Sequence, residues 1–114
     1  PIYVKQILSG RKKYEFRKIL AKRSIDKIVI YETSPVMKVV AEVCINSVLV
    51  EHPDKLWELT HEFAGIDKQN YDKYYENRET AVAYSLGHIY EFDKPKELAD
   101  YGINFYPQSF VYLD

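Results

Sequence analysis

Apolar residues recur at helical spacing at the start of this chain and then switch to strict alternation. Tyr3, Val4, Ile7 and Leu8 fall on one side of a helix, and Gly10 stands where a helix C-terminus takes a left-handed residue. From Lys13 the period is two: Lys13, Glu15 and Arg17 share one face of a strand, Tyr14 and Phe16 the other. After a short polar turn, "DKIVIYETSP" (26–35) reads as a β-branched strand. It ends in a loop at Ser34-Pro35, because the residue before a proline is pushed out of the helical region. "VMKVVAEVCINSVLVE" (36–51) reads as one long strand, with Val39, Ala41, Val43 and Ile45 on its core face and Glu42 and Asn46 opposite.

The second half begins with helical patterns. "HPDKLWELTHEFAG" (52–65) has Pro53 in its first turn, Asp54 and Glu58 toward its positive end, Trp57 on the core side and Gly65 to end it. "DKQNYDKYYENR" (67–78) is a second amphipathic helix with Tyr71, Tyr74 and Tyr75 on one side. "TAVAYSLGHIYEF" (80–92) is a strand with Tyr84, Leu86, His88, Tyr90 and Phe92 on one face, and Gly87 inside it signals a bulge or a close backbone approach. "KPKELADYG" (94–102) reads as a turn with a helical start and "YPQSFVYL" (106–113) as a closing strand. Long strands with grouped helices predict an α+β domain with a strongly bent sheet or small barrel. Strand and helix do not alternate, which argues against a dinucleotide-binding sheet.

Length and composition fit a single domain over 1–114: 114 residues, 46% apolar and 29% charged. No apolar run approaches a membrane span, and no signal-peptide pattern is visible. One cysteine, Cys44, excludes an internal disulfide and makes a reducing cytoplasm the expected setting. Charge is unevenly spread. Residues 1–27 carry nine Lys/Arg against two acids, a balance of +7, and residues 28–114 carry seven against fifteen, a balance of −8. A basic pole on an acidic body can focus an anion without making the whole surface adhesive, although charge complementarity within the fold gives the same balance.

Few chemistries are open to this sequence. His52, His61 and His88 are scattered and Cys44 stands alone, so no ligand spacing for a metal is present and no cofactor is expected. Cys44 lies mid-strand without a nucleophile turn, and no phosphate-binding glycine loop occurs. What remains is "GRKKYEFRK" (10–18), where Glu15 sits alone among cations. Neighbouring positive charge predicts an ionised, oriented Glu15, with Arg17 able to fork onto phosphate. An exposed ion pair on a solvated strand fits the same spacing.

"ILSGRKKYEFRK", with its Gly-x-Lys-x-x-Glu-x-Arg core, resembles the signature of the ASCH domain. "KIVIYETSPVMKVVAEV", "LWELT" and "PQSF" resemble later segments of small prokaryotic and phage members. The resemblance implies a PUA-like small mixed β-barrel with flanking helices, and a short strand before the first helix that this sequence does not show. It implies binding of RNA or a modified nucleotide in a cleft formed by Lys12, Glu15 and Arg17, faced by Ser34 and Pro35 and closed by Gln108 and Ser109. A role in transcription or translation, and a protein partner, stay open. Tyr31 and Tyr84 are candidates for base stacking or for barrel packing.

Two hydrolytic alternatives come with the same resemblance. One branch of the family removes the acetyl group of N4-acetylcytidine with a lysine, a threonine three residues later and a downstream glutamate. Lys12 matches the lysine, Glu15 occupies the threonine position, and the glutamate position falls near Ala64, with Glu62 only a neighbour. Other members are ribonucleases. On either route Lys12 and Glu15 are the candidate catalytic residues, but a Glu15 with a lowered pKa would be a weak base.

Overall fold

The structure, a computed structural model, describes residues 2–22, 24–107 and 110–113. Helix α1 (Ile2–Leu8) ends at Gly10, whose φ of 80° is the left-handed turn expected there. Strands β1 (Tyr14–Arg17), β2 (Lys27–Glu32) and β3 (Lys38–Glu51) follow, then helices α2 (Pro53–Thr60) and α3 (Lys68–Tyr74), strand β4 (Ala81–Lys96) and strand β5 (Phe110–Leu113). The sheet order is β1-β4-β3-β2-β5, and every pairing is antiparallel. Together these give an α+β fold with a curled, barrel-like antiparallel sheet and a few helices.

Packing explains the elements. Ile7 of α1 is buried against Ile28 and Ile30 of β2, Val40, Ala41 and Val43 of β3, and Leu86 of β4. The opposite side of β2, Val29 and Tyr31, packs with Val39, Phe92, Leu98 and Tyr101. β2 is therefore buried on both faces, which is why it reads as a continuous apolar run. A third cluster joins Phe16 of β1 and Ala83 of β4 to Leu56 of α2 and to Tyr71 and Tyr75 at α3. Trp57 is half-buried beside this cluster and lies 4.7 Å, centroid to centroid, from Tyr71.

The helix boundaries follow local chemistry. Pro53 opens α2, and the Nδ1 of His52 accepts from Asp54 N at 3.1 Å. Asp67 caps α3 by accepting from Asn70 N at 2.8 Å. The apolar stretch after α2 is shorter than the single helix expected: it turns into a 3₁₀ segment (His61–Phe63) before Gly65. β4 in turn runs past the expected turn to Lys96, through Pro95. Its register against β3 is irregular there, where Val39 and Ala41 pair with Lys96 and Glu91, so Pro95 interrupts no regular ladder. None of the described helices is long and apolar enough to cross a membrane.

Candidate functional site

The turn between α1 and β1 is fastened from three sides by its backbone. The N–H groups of Arg11 and Lys12 both donate to Gln6 O, at 2.9 and 3.0 Å. Lys13 N donates to Phe63 O at 2.8 Å, and Lys13 O accepts from Leu86 N at 2.8 Å. With α1, the segment after α2 and β4 all holding one turn, the side chains it carries have fixed starting points.

Lys12 is 5% exposed. Its stem lies against Gly65, where an added Cβ would sit 2.7 Å from Lys12 Cβ. Gly65 also has φ of 68°, so this position requires glycine twice over. The Lys12 Nζ donates to Ala64 O at 2.7 Å and stands 5.0 Å from the centre of the Phe16 ring. Burial lowers the pKa of this ammonium, with Glu15 pulling it back up.

Glu15 stands opposite Tyr84 in the β1–β4 ladder and is 9% exposed. Its Oε2 is buried and has no hydrogen-bond partner among the described residues. Desolvation pushes its pKa up to about 7, against the pull of Lys12 and Arg17. The expectation that surrounding cations keep Glu15 strongly ionised is therefore corrected. Counting charges along the strand omits the removal of water, which here is the larger effect. A carboxylate titrating near 7 is no longer a poor base on pKa grounds.

Arg17 is exposed at the end of β1, opposite Val82. Ser34 and Pro35 are exposed in the β2–β3 turn and line neither of the two clefts described next. Gln108 and Ser109 lie outside the described residues. Tyr31 and Tyr84 are 1% and 4% exposed, so both serve packing rather than stacking, and the Tyr84 hydroxyl accepts from Ala21 N at 3.0 Å. Among the described residues, no group of three or more His, Cys, Asp and Glu side chains is clustered as for a metal ion.

Two open clefts flank this region. One, of about 370 Å³, lies by the α1–β1 turn and is lined by Lys12, Lys13 and Gly87. The other, of about 480 Å³, lies by the segment joining β1 and β2 and is lined by Lys22, Ser24, Asp26 and Tyr84. Asn46 lines both. Sequence reading placed Asn46 only on the non-core face of β3; its one hint of more was Gly87, the glycine opposite it.

Residues 1–89 match the ASCH domain family. The chain belongs to that family. An ASCH domain-containing ribonuclease from Zymomonas mobilis is 31% identical over 87 residues, covering 75% of this chain and 59% of that protein. An ATP synthase subunit alpha from Ureaplasma parvum is 30% identical over 109 residues, which is 95% of this chain and 14% of that protein. This ASCH chain thus spans less than two thirds of either relative. Among solved structures, a serine-to-alanine variant of the Zymomonas ASCH protein superposes with a TM-score of 0.80 at 26% identity, covering 100% of this chain and 83% of that one. The family expected from the Gly-x-Lys-x-x-Glu-x-Arg stretch is the family found.

Proposed function

We propose that this ASCH domain binds RNA across the surface formed by α1, β1 and the segment that follows. The observation that carries this reading is the placement of the basic pole. Lys5, Arg11, Lys13, Arg17, Lys18 and Lys22 are all exposed, while the acid in their midst, Glu15, is buried and shifted toward its neutral form. The surface therefore presents positive charge with little internal cancellation, as a phosphate backbone requires. Similarity to an ASCH ribonuclease supports RNA as the polyanion. Fluorescence anisotropy with short single-stranded RNA over a range of salt tests it. Affinity should fall steeply with salt. Arg17→Ala should weaken binding and reduce the salt slope by about 0.7 for each phosphate that the variant no longer neutralises. Weak binding, equal in both proteins and insensitive to salt, would reject the reading. A binding-only domain would serve as a regulatory module in transcription or translation.

Glu15 favours a second reading, ribonuclease-type cleavage. A carboxylate titrating near 7 has the basicity to take the proton of a ribose 2′-hydroxyl, and the Lys12 ammonium can offset charge that develops on the phosphate, once bound RNA uncovers a pair of which only Lys12 lines a cleft. The 2′-oxygen would form a bond to phosphorus as the P–O5′ bond breaks, leaving a 2′,3′-cyclic phosphate and, after the 5′-oxygen takes a proton from water, a 5′-hydroxyl. Incubation with end-labelled RNA, with Glu15→Gln as the control, decides between binding and cleavage. For deacetylation the case is weaker, because Glu15 replaces the hydroxyl, and the position expected to hold a carboxylate is Ala64, which meets Lys12 through its backbone oxygen.

A further inference from the structure

Asn46 owes its position to two consecutive irregularities in the β3–β4 ladder. Ile45 and Ser47 pair with Leu86 and Ser85 in direct succession, so Asn46 is an extra residue on β3. Just before it, Val43 and Ile45 pair with Ile89 and Leu86, so β4 carries the extra residue around Gly87. Bulges of this kind re-aim a side chain. Here the side chain lies over Gly87, where any Cβ would collide with the Asn46 amide. The amide is exposed, makes no hydrogen bond among the described residues, and borders both clefts.

The clefts differ in chemistry. The smaller holds Lys12 and Lys13 and no acid, and Lys13 is exposed with its Nζ 4.1 Å from the centre of the Phe63 ring. The larger holds Asp26 and Ser24 beside Lys22. A carboxylate repels phosphate but accepts a hydrogen bond from an exocyclic amine, and an asparagine amide can pair two-pronged with an amine and its neighbouring ring nitrogen.

Resting on the RNA-binding reading above, we infer that the two clefts form a single nucleotide site astride Asn46. An amino-bearing base, such as adenine or cytosine, lies in the larger cleft against Asn46 and Asp26, and its phosphate lies at Lys13 in the smaller one. Uracil offers no exocyclic amine to Asp26 and is discriminated against.

The test is anisotropy titration of uncleavable 2′-fluoro heptamers of A, C and U at several salt concentrations. The wild-type protein should bind the A and C heptamers more tightly than U. Asn46→Ala should weaken A and C about 5- to 100-fold, the usual worth of a two-pronged base contact, with little change for U and an unchanged salt slope. Lys13→Ala should weaken all three alike and lower the slope. Gly87→Ala, whose methyl displaces the Asn46 amide, should weaken A and C more than U, with thermal melting to confirm the fold. Equal wild-type affinity for all three heptamers, or an equal loss for all three in Asn46→Ala, overturns the inference while leaving RNA binding standing. No binding to any heptamer overturns both.

Discussion

The ammonium of Lys12 reaches from the turn before β1 to the carbonyl of Ala64 and donates to it at 2.7 Å. It thereby joins parts of the chain 52 residues apart through one buried, charged hydrogen bond, and it also supplies the positive charge nearest in effect to Glu15. The lysine of the family stretch is thus a structural tie as well as a candidate functional group. Lys12→Met keeps most of the stem and removes both roles. Urea unfolding should show a loss of about 1–3 kcal/mol, the cost of stranding a buried acceptor. Carboxyl NMR titration should show the Glu15 pKa rising above its wild-type value. An unchanged Glu15 titration would mean that Lys12 does not set its charge.

Glu15 makes the stability of the domain depend on pH in an unusual direction for a carboxylate. Its pKa moves from 4.5 to about 7 on folding, so between these values the folded state binds more protons than the unfolded state. Stability from this group is therefore greatest at the acid end of that window and declines as pH rises through it, by on the order of 3 kcal/mol if the full shift is realised. Lys12, whose pKa is lowered, acts with the opposite slope in the alkaline range below 10.5. Unfolding free energies measured from pH 5 to 8 should fall in the wild type and fall much less in Glu15→Gln. Identical slopes would show that Glu15 titrates normally.

Two buried tyrosines should respond oppositely to loss of the hydroxyl. Tyr71 OH donates to Pro53 O at 2.7 Å, whereas the Tyr31 hydroxyl is buried without a hydrogen-bond partner among the described residues. Tyr71→Phe should cost about 1 kcal/mol or somewhat more, because it strands a carbonyl. Tyr31→Phe should be neutral or stabilising, since it removes an unsatisfied polar atom. Chemical denaturation of the two variants side by side checks the sign of the difference.

Gly65→Ala should destabilise by about 1–3 kcal/mol, because alanine is strained at φ of 68° and its methyl would press on the Lys12 stem. Wild-type stability in this variant would show that the segment shifts freely, and that Lys12 is not clamped there.

Periodicity made most of the fold legible. The alternation at Tyr14 and Phe16, the continuous apolar run of β2 and the turn at Gly10 each express a local rule, and each appears where expected. The candidate site was legible only as a set of residues. Glu15 was visible, but its burial depends on contacts that no local pattern encodes, and so the sign of its pKa shift was missed. Asn46 looked like an ordinary outward residue because its placement comes from a register change between two strands. Pro95 argued for a turn, yet the irregular ladder leaves room for it inside β4.

β1 stands at one end of the sheet order and is only four residues long. Tyr74 and Tyr75 approach the carbonyls of Phe16 and Arg17 at 3.4 and 2.9 Å, and Arg78 Nη2 donates to Lys18 O at 3.2 Å. An open strand border is a template on which further chains can polymerise. Here the carbonyls of Phe16, Arg17 and Lys18 are met by side chains from the same molecule, which leaves fewer acceptors on this short border for an added strand.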